Sequence, residues 1–190
     1  MGETVTPQGV LGTAALLDVP IAQVRSPQLV AVLDQVNDPG NAGTVLRTAD
    51  AAGADAVVLT EGSVDPHNGK CVRATAGSLW HLPVVSAVPL PDAVEHLRGQ
   101  DLQVLATSGS GEHDLDDLVD AGALGAPTAW LFGPEAAGLS ADALALADRT
   151  VRIPIVGRAE SLNLSAAAAV CLYATRRAHR EIVVGRTRQP

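Results

Sequence analysis

Three stretches of the chain set polar side chains among glycines and prolines: NDPGNAG at 37–43, running into TVLRTADAAG; LFGPEAAGLS at 131–140; and IPIVGRAESLNLSAAAAV at 153–170. In the first, Pro39 sets a turn, Gly40 and Gly43 leave the backbone permissive, and Asn41 is expected to cap the helix that follows. Taken alone, that is ordinary helix-start chemistry. Arg47 is harder to account for, because Val45, Ala49 and Ala52 share one helix face while Arg47 points elsewhere, one turn after Gly43. A guanidinium near a helix N-terminus is mildly opposed by the helix dipole. It calls for an anion, either a phosphate or a carboxylate.

The second stretch is a Gly-Pro-Glu turn directly after an apolar run, with Glu135 at its tip and Ser140 positioned to cap a helix. A plain polar turn and a ligand-facing loop fit it about equally. The third joins an apolar run to a helix expected to start near Ser161. Capping explains one of Ser161 and Asn163 and leaves Asn163, in the first turn, with no structural reason to be an asparagine.

Other site chemistries fit less well. TSGSGEHD (107–114) lacks the third glycine of a dinucleotide fingerprint, and the chain contains neither a GxSxG elbow nor a GxxxxGK[ST] phosphate loop. His67, Cys71 and His81 show no metal-ligand spacing, so no metal is expected. The aspartates at 114, 116, 117 and 120 read as a solvated helix face.

The elements that must position these loops alternate. Apolar runs at 29–34, 56–60, 82–88, 102–107, 128–133 and 151–156 read as buried strands. Helical patterns lie at 41–52, about 67–79, 91–98, 114–119, 140–147 and 161–180. The expected class is α/β, a mainly parallel sheet with helices on both faces. In such sheets ligands bind beyond the carboxyl ends of the strands, so the loops after 34, 60, 107, 133 and 156 form the candidate site. Residues 1–28 read as an N-terminal extension or linker remnant whose run VLGTAALL is an edge strand or a linker end. Residues 29–180 form the main domain, and 181–190 a tail.

The 190 residues suffice for one core, and nothing in the composition demands two domains. With 47% hydrophobic residues but 2% aromatics, that core must be built from small aliphatic groups. No run approaches the ~20 apolar residues of a membrane span and no secretory pattern opens the chain, so no membrane association and a cytoplasmic location are expected. Cys71 and Cys171 read as buried free thiols. A net charge of -8 argues against a generic nucleic-acid binder. Yet eight of the 13 basic residues lie from Arg149 onward, against only Glu160 and Glu181. A solvated helix and a phosphate-facing surface both account for this asymmetry.

Taken together, the three motifs, in this order and spacing and with GKCVRATAGSLWHLPVV at 69–85 between the first two, closely resemble the SpoU (TrmH-like) RNA 2'-O-methyltransferases of the SPOUT superfamily. The resemblance covers about residues 29–178. It implies a SPOUT-type fold with a C-terminal trefoil knot over roughly residues 128–178, S-adenosylmethionine as methyl donor, a structured rRNA or tRNA as substrate, and a homodimer whose sites lie near the subunit interface. By the family pattern Asn41 and Arg47 match the functional pair of the first motif, Glu135 the acid of the second, and Ser161 and Asn163 the polar pair of the third. Leu131, Gly133, Ile153 and Leu162 fall at donor-contacting positions, with Thr107, Ser108 and Gly109 as a further donor loop. Glu135 is expected to hold Asn41 or Arg47 through a charge-assisted bond. Many relatives carry an additional N-terminal RNA-binding domain, whereas about 28 residues precede the first strand here.

Only Trp80, Trp130, Phe132 and Tyr173 are aromatic, so a base-stacking platform is not expected, and recognition should rest on phosphates and RNA shape. A protein of the same fold that binds donor or RNA without catalysis is the alternative, favoured by the acidic net charge. A dinucleotide-dependent oxidoreductase would need a glycine fingerprint and an acidic ribose anchor that the chain does not offer.

Overall fold

The computed structural model describes residue 9 and residues 12–186, with side chains described as far as Arg180. Seven strands, β1 (Leu29–Leu33), β2 (Ala56–Thr60), β3 (Val84–Val88), β4 (Gln103–Thr107), β5 (His113–Asp114), β6 (Thr128–Phe132) and β7 (Arg149–Arg152), form one sheet in the order β3-β2-β1-β6-β4-β7-β5. Every pairing is parallel. Six α-helices connect them: α1 (Pro39–Ala52), α2 (Gly69–Thr75), α3 (Leu90–Arg98), α4 (Leu115–Asp120), α5 (Ala141–Ala145) and α6 (Leu164–Arg186).

Side chains alternate across each strand, as a strand period of two requires. Leu29, Ala31 and Leu33 pack on one face with α1 and α6 residues such as Val45, Ala49, Ala168 and Leu172, while Val30 and Val32 face Ala93, Val94 and Leu97 of α3 and Ala143 of α5. The sheet is therefore covered on both sides, and its central strand β1 is apolar throughout. The two buried aromatic rings fill the seam under α6. Trp130 and Phe132 lie with centroids 6.3 Å apart, and the Trp130 indole donates to Thr175 Oγ1 at 2.9 Å. Where α1 crosses α2, a Cβ on Gly43 would stand 2.5 Å from the Cys71 carbonyl oxygen and 2.6 Å from Ala74 Cβ, so the crossing requires glycine.

Several boundaries differ from the sequence expectation. The last strand covers Arg149–Arg152 rather than 151–156, because Leu105, Ala106 and Thr107 of β4 pair with Arg149, Thr150 and Val151 and Pro154 lacks an N–H to continue a ladder. Strand β5 has two residues, too few to leave a periodic signal. The pattern at 67–79 breaks into α2 and a 3-10 turn (Ser78–Trp80), because Ala76 and Gly77 take left-handed backbone angles, φ 49° and 103°. Helix α6 starts at Leu164 and its backbone runs to Arg186, through part of the expected tail; residues 187–190 lie outside the described residues. Of the run VLGTAALL, Val10 and Leu11 also lie outside them, and residues 12–17 have no regular structure. The edge contact falls instead at Asp18, a single parallel bridge to Val84.

Both cysteines are free and buried. Burial, with the Asp65 and Asp38 charges adding to it, pushes the Cys71 thiol up to about 11, and burial alone raises Cys171. Neither thiol forms a reactive thiolate near neutral pH. Among the described residues, no helix is long and apolar enough to cross a membrane.

Candidate active site

The strand order reverses around β1 and β6: β2 and β3 build outward on one side, and β4, β7 and β5 on the other. At such a switch the loops beyond the strand ends diverge and leave a crevice. The cleft, of about 810 Å³, lies on the β6 side of that switch and is walled by the loops after β4, β6 and β7. Thr107, Ser108 and Gly109 come from the first, Gly133, Glu135 and Leu139 from the second, and Ile153, Ser161 and Leu162 from the third. Its size and its mixture of apolar walls with a few polar groups suit a nucleoside-sized ligand.

The walls are held by specific contacts. Thr107 Oγ1 donates to the Leu131 carbonyl at 3.0 Å, tying the ends of β4 and β6. Leu131 itself is fully buried and does not line the cleft, so its contribution is that carbonyl. A Cβ on Gly133 would lie 2.5 Å from Leu139 N and 2.6 Å from Gly138 C, so the loop folds onto its own start only with glycine there. Ser140 caps α5 as expected, its Oγ accepting from Ala143 N at 3.1 Å.

Four polar lining residues were not singled out by sequence reasoning: Ser110, Asp114, Arg152 and Glu160. Asp114 is not part of a solvated face. Its carboxylate accepts from Asp116 N at 3.0 Å, starting α4, and pairs with Arg152 at 3.4 Å, while Arg152 also donates to the Gly111 carbonyl at 3.0 Å. The two-residue strand that brings Asp114 here has no signature of its own. Glu160 was visible in the third motif, immediately before Ser161.

The capping assignments change. Asp38, not Asn41, caps α1; its Oδ1 accepts from Asn41 N at 2.7 Å and its Oδ2 pairs with Lys70 Nζ at 3.1 Å. The Asn41 amide, with Lys70 second, holds the Asp38 carboxyl below its ordinary value. Asn163 caps α6: its Oδ1 accepts from Ala166 N at 2.8 Å, which is the structural reason for an asparagine that sequence reasoning did not find. Ser161 carries no such bond and faces the cleft.

Glu135 holds neither Asn41 nor Arg47. Its Oε1 accepts from Leu164 N at 3.1 Å, an orphan donor in the first turn of α6. One residue on, the Ser165 hydroxyl donates to Asn41 Oδ1 at 3.4 Å. Glu135, the start of α6 and Asn41 thus form one connected edge. Arg47 stands apart from it. Asn41 and Arg47 are six residues apart, which turns Arg47 about 120° around α1 from Asn41, and it does not line the cleft. Arg47 is exposed, and its side chain makes no hydrogen bond or ion pair with the described residues.

Residues 28–173 match the model of the SpoU rRNA Methylase family. The chain belongs to that family. It is 39% identical over 171 residues to the 23S rRNA (guanosine(2553)-2'-O)-methyltransferase RlmP of Bacillus subtilis, a match covering 90% of this chain and 66% of the relative. It is 38% identical over 156 residues to the tRNA (guanosine(18)-2'-O)-methyltransferase of Escherichia coli, covering 80% and 65%. Among solved structures, the SpoU methyltransferase AviRb from Streptomyces viridochromogenes in complex with AdoMet superposes with a TM-score of 0.75 at 32% identity, over 85% of this chain and 63% of that one. An AdoMet-bound rRNA methyltransferase from Sinorhizobium meliloti gives 0.75 at 36%, over 84% and 60%. The SpoU chain described here therefore spans no more than about two thirds of the length of these relatives.

Proposed function

We propose that this chain transfers a methyl group from S-adenosylmethionine to a ribose 2'-hydroxyl of a structured ribosomal or transfer RNA, in the cytoplasm, with residues 29–180 as the catalytic domain. The observation that carries the reading is the cleft. The second and third motifs, with the loop after β4, meet around one nucleoside-sized space, and the first motif lies outside it. In family relatives solved with AdoMet bound, the same fold holds that donor.

The residues present fit the donor. The turn at Gly133 and the segments at Ile153 and Leu162 offer backbone groups and apolar contacts, and Thr107, Ser108 and Gly109 close the far wall. When bound, the donor supplies an electrophilic methyl carbon on a sulfonium. The protein's tasks are then to orient the ribose hydroxyl in line and to ease loss of its proton. Arg47 is suited to the first, since a guanidinium holds a phosphate oxygen pair in fixed geometry. It is unsuited to act as a base, because it stays protonated. A phosphate oxygen or water takes the proton. Ser161 organises the cleft mouth, and Glu135 fixes the start of α6, and with it Ser165 and Asn41.

We further propose a homodimer. Arg47 is turned away from the edge formed by Asn41 and Glu135, so a second copy is needed to bring an Arg47 to each cleft. Val170 and Tyr173, three residues apart on α6 and 41% and 52% exposed, offer an apolar face for that contact. The C-terminal knot is part of the same proposal. The close approach of Gly133 to Gly138 and Leu139, and the Glu135–Leu164 bond, support a tight passage of the 153–163 segment past the 133–139 loop.

The test begins with calorimetric titration of the donor into the intact chain and an Ile153→Arg variant. Binding near one donor per chain, lost in the variant, supports the cleft. Incubation with rRNA and tRNA should then leave one ribose methylated, seen as a phosphodiester resistant to alkaline cleavage. Donor binding without such a product would favour the non-catalytic alternative that the acidic net charge suggests.

A further inference from the structure

Two of the four aromatic residues, Trp130 and Phe132, are core. Trp80 is different: it is 54% exposed at the end of the turn that follows α2. That turn is rigidly held. Two successive residues, Ala76 and Gly77, take left-handed backbone angles; Ala76 ends α2 as its C-cap, a position where alanine is costly, and this fixes the direction in which the turn leaves the helix. Ser78 and Leu79 are buried beneath it. On the other side of the indole, His81 Nδ1 meets Asp50 Oδ2 at 2.8 Å, and Ser78 also hydrogen-bonds Asp50, holding its carboxyl below the ordinary range. The backbone is pinned before and after Trp80, while the ring is left in water.

Two exposed arginines, Arg47 and Arg73, lie on the helices that adjoin that turn. Gly43 of α1 faces Ala74 of α2, and Asp50 faces His81, so this side of α1 looks toward the turn that carries Trp80. Arg47 lies one helical turn from each, rotated about 40° from Gly43 toward solvent. Arg73 is exposed on α2. Asp50, on the same side of α1, is already engaged by Ser78 and His81.

We propose that Trp80 is a stacking platform for an unpaired nucleobase of the RNA, next to the phosphate held by Arg47. The inference rests on the RNA reading above. It revises the expectation drawn from the scarcity of aromatic residues: composition counts rings, but stacking needs only one, rigidly placed and exposed. An indole offers a flat apolar surface with little rotamer entropy to lose, and every base has a face to lay on it. Arg47 and Arg73 supply the phosphate contacts that a purely apolar protein partner would not require.

The test compares the intact chain with Trp80→Leu and Trp80→Phe, using a fluorescein-labelled RNA hairpin with an unpaired loop and a fully paired duplex of equal length. Leucine keeps the apolar bulk and cannot stack. The intact chain should prefer the hairpin, and Trp80→Leu should lose roughly tenfold in hairpin affinity, within the range of one base–aromatic stack, with duplex and S-adenosylmethionine affinities unchanged. Trp80→Phe should stay within about threefold of the intact chain. Indole emission should be quenched by the hairpin in the intact chain and not in Trp80→Phe, whose remaining Trp130 is buried. Equal hairpin binding by Trp80→Leu would overturn this inference alone. A fall in sedimentation coefficient accompanying the loss would also overturn it, assigning the ring to a protein interface. An intact chain that binds neither RNA would overturn this inference and the RNA reading together.

Discussion

The backbone N–H of Leu164 donates to the Glu135 carboxylate at 3.1 Å, so an acid on the loop after β6 closes the first turn of α6. A carboxylate there also meets the positive end of the helix dipole. Two of the three loops that wall the cleft, those after β6 and β7, are therefore tied to each other through the start of α6. Glu135→Ala should lower thermal stability by about 1 kcal/mol through the freed amide and weaken donor binding at least several-fold, whereas Glu135→Gln, which still accepts the bond, should retain most of both. Thermal melts with calorimetry check this; unchanged donor affinity in Glu135→Ala would separate the acid from the cleft.

Asn163 supplies the cap of α6 with its own side chain. Asn163→Ala should cost about 1 kcal/mol, read as a Tm lower by roughly 2–4 °C, and Asn163→Asp should restore it. If Asn163→Asp recovers stability but not methyl transfer, the amide has a second role in the reaction.

Arg47 should separate binding from chemistry. Arg47→Ala is expected to bind S-adenosylmethionine as the intact chain does and to transfer methyl groups at least about 100-fold more slowly, and Arg47→Lys should not rescue it, since an ammonium lacks the bidentate fork. Turnover by Arg47→Lys close to that of the intact chain would remove the geometric argument.

Asp38 links the first motif to pH. Its folded pKa lies below the ordinary 3.8, because the carboxylate accepts from Asn41 N and pairs with Lys70. Its stabilising contribution is thus fully present above that ordinary value and is lost as pH falls through the lower folded one. Asp38→Asn should lower Tm at neutral pH and should lose less stability than the intact chain on acidification below pH 3.8. Parallel acid-induced loss in both proteins would show that another carboxylate dominates.

Gly133→Ala should abolish donor binding without unfolding the sheet, because its Cβ would strike the backbone of Gly138 and Leu139 rather than a movable side chain. Far-ultraviolet circular dichroism together with calorimetry tests it. Retained affinity would mean that the loop can shift without losing the cleft.

Much of this was legible in the chain itself. Short apolar runs between turn residues located six of the strands to within a few residues, because a strand buried on both faces must be apolar throughout. The alternation of those runs with helical patterns implied the parallel sheet, and the second and third motifs marked two of the three loops that form the cleft. Local patterns carry that much because they are set by backbone geometry a few residues long.

What the tertiary structure decided depends on residues far apart in sequence. The order β3-β2-β1-β6-β4-β7-β5 brings the loops after β4, β6 and β7 together and leaves those after β1 and β2 aside. The start of α6 fell at Leu164 because Asn163 and Glu135 satisfy its first amides, and Glu135 comes from another loop. Arg47 could be seen to avoid the packing face of α1 and to turn away from Asn41, but that this also turns it away from the cleft follows from which face of α1 receives α6 and which receives α2. Trp80 was counted as an aromatic residue, and only the left-handed pair before it and the Asp50 contacts around it leave its ring in solvent. Propensity and periodicity act within one element; the choice of neighbours is made by packing between elements, and the site lies where those neighbours meet.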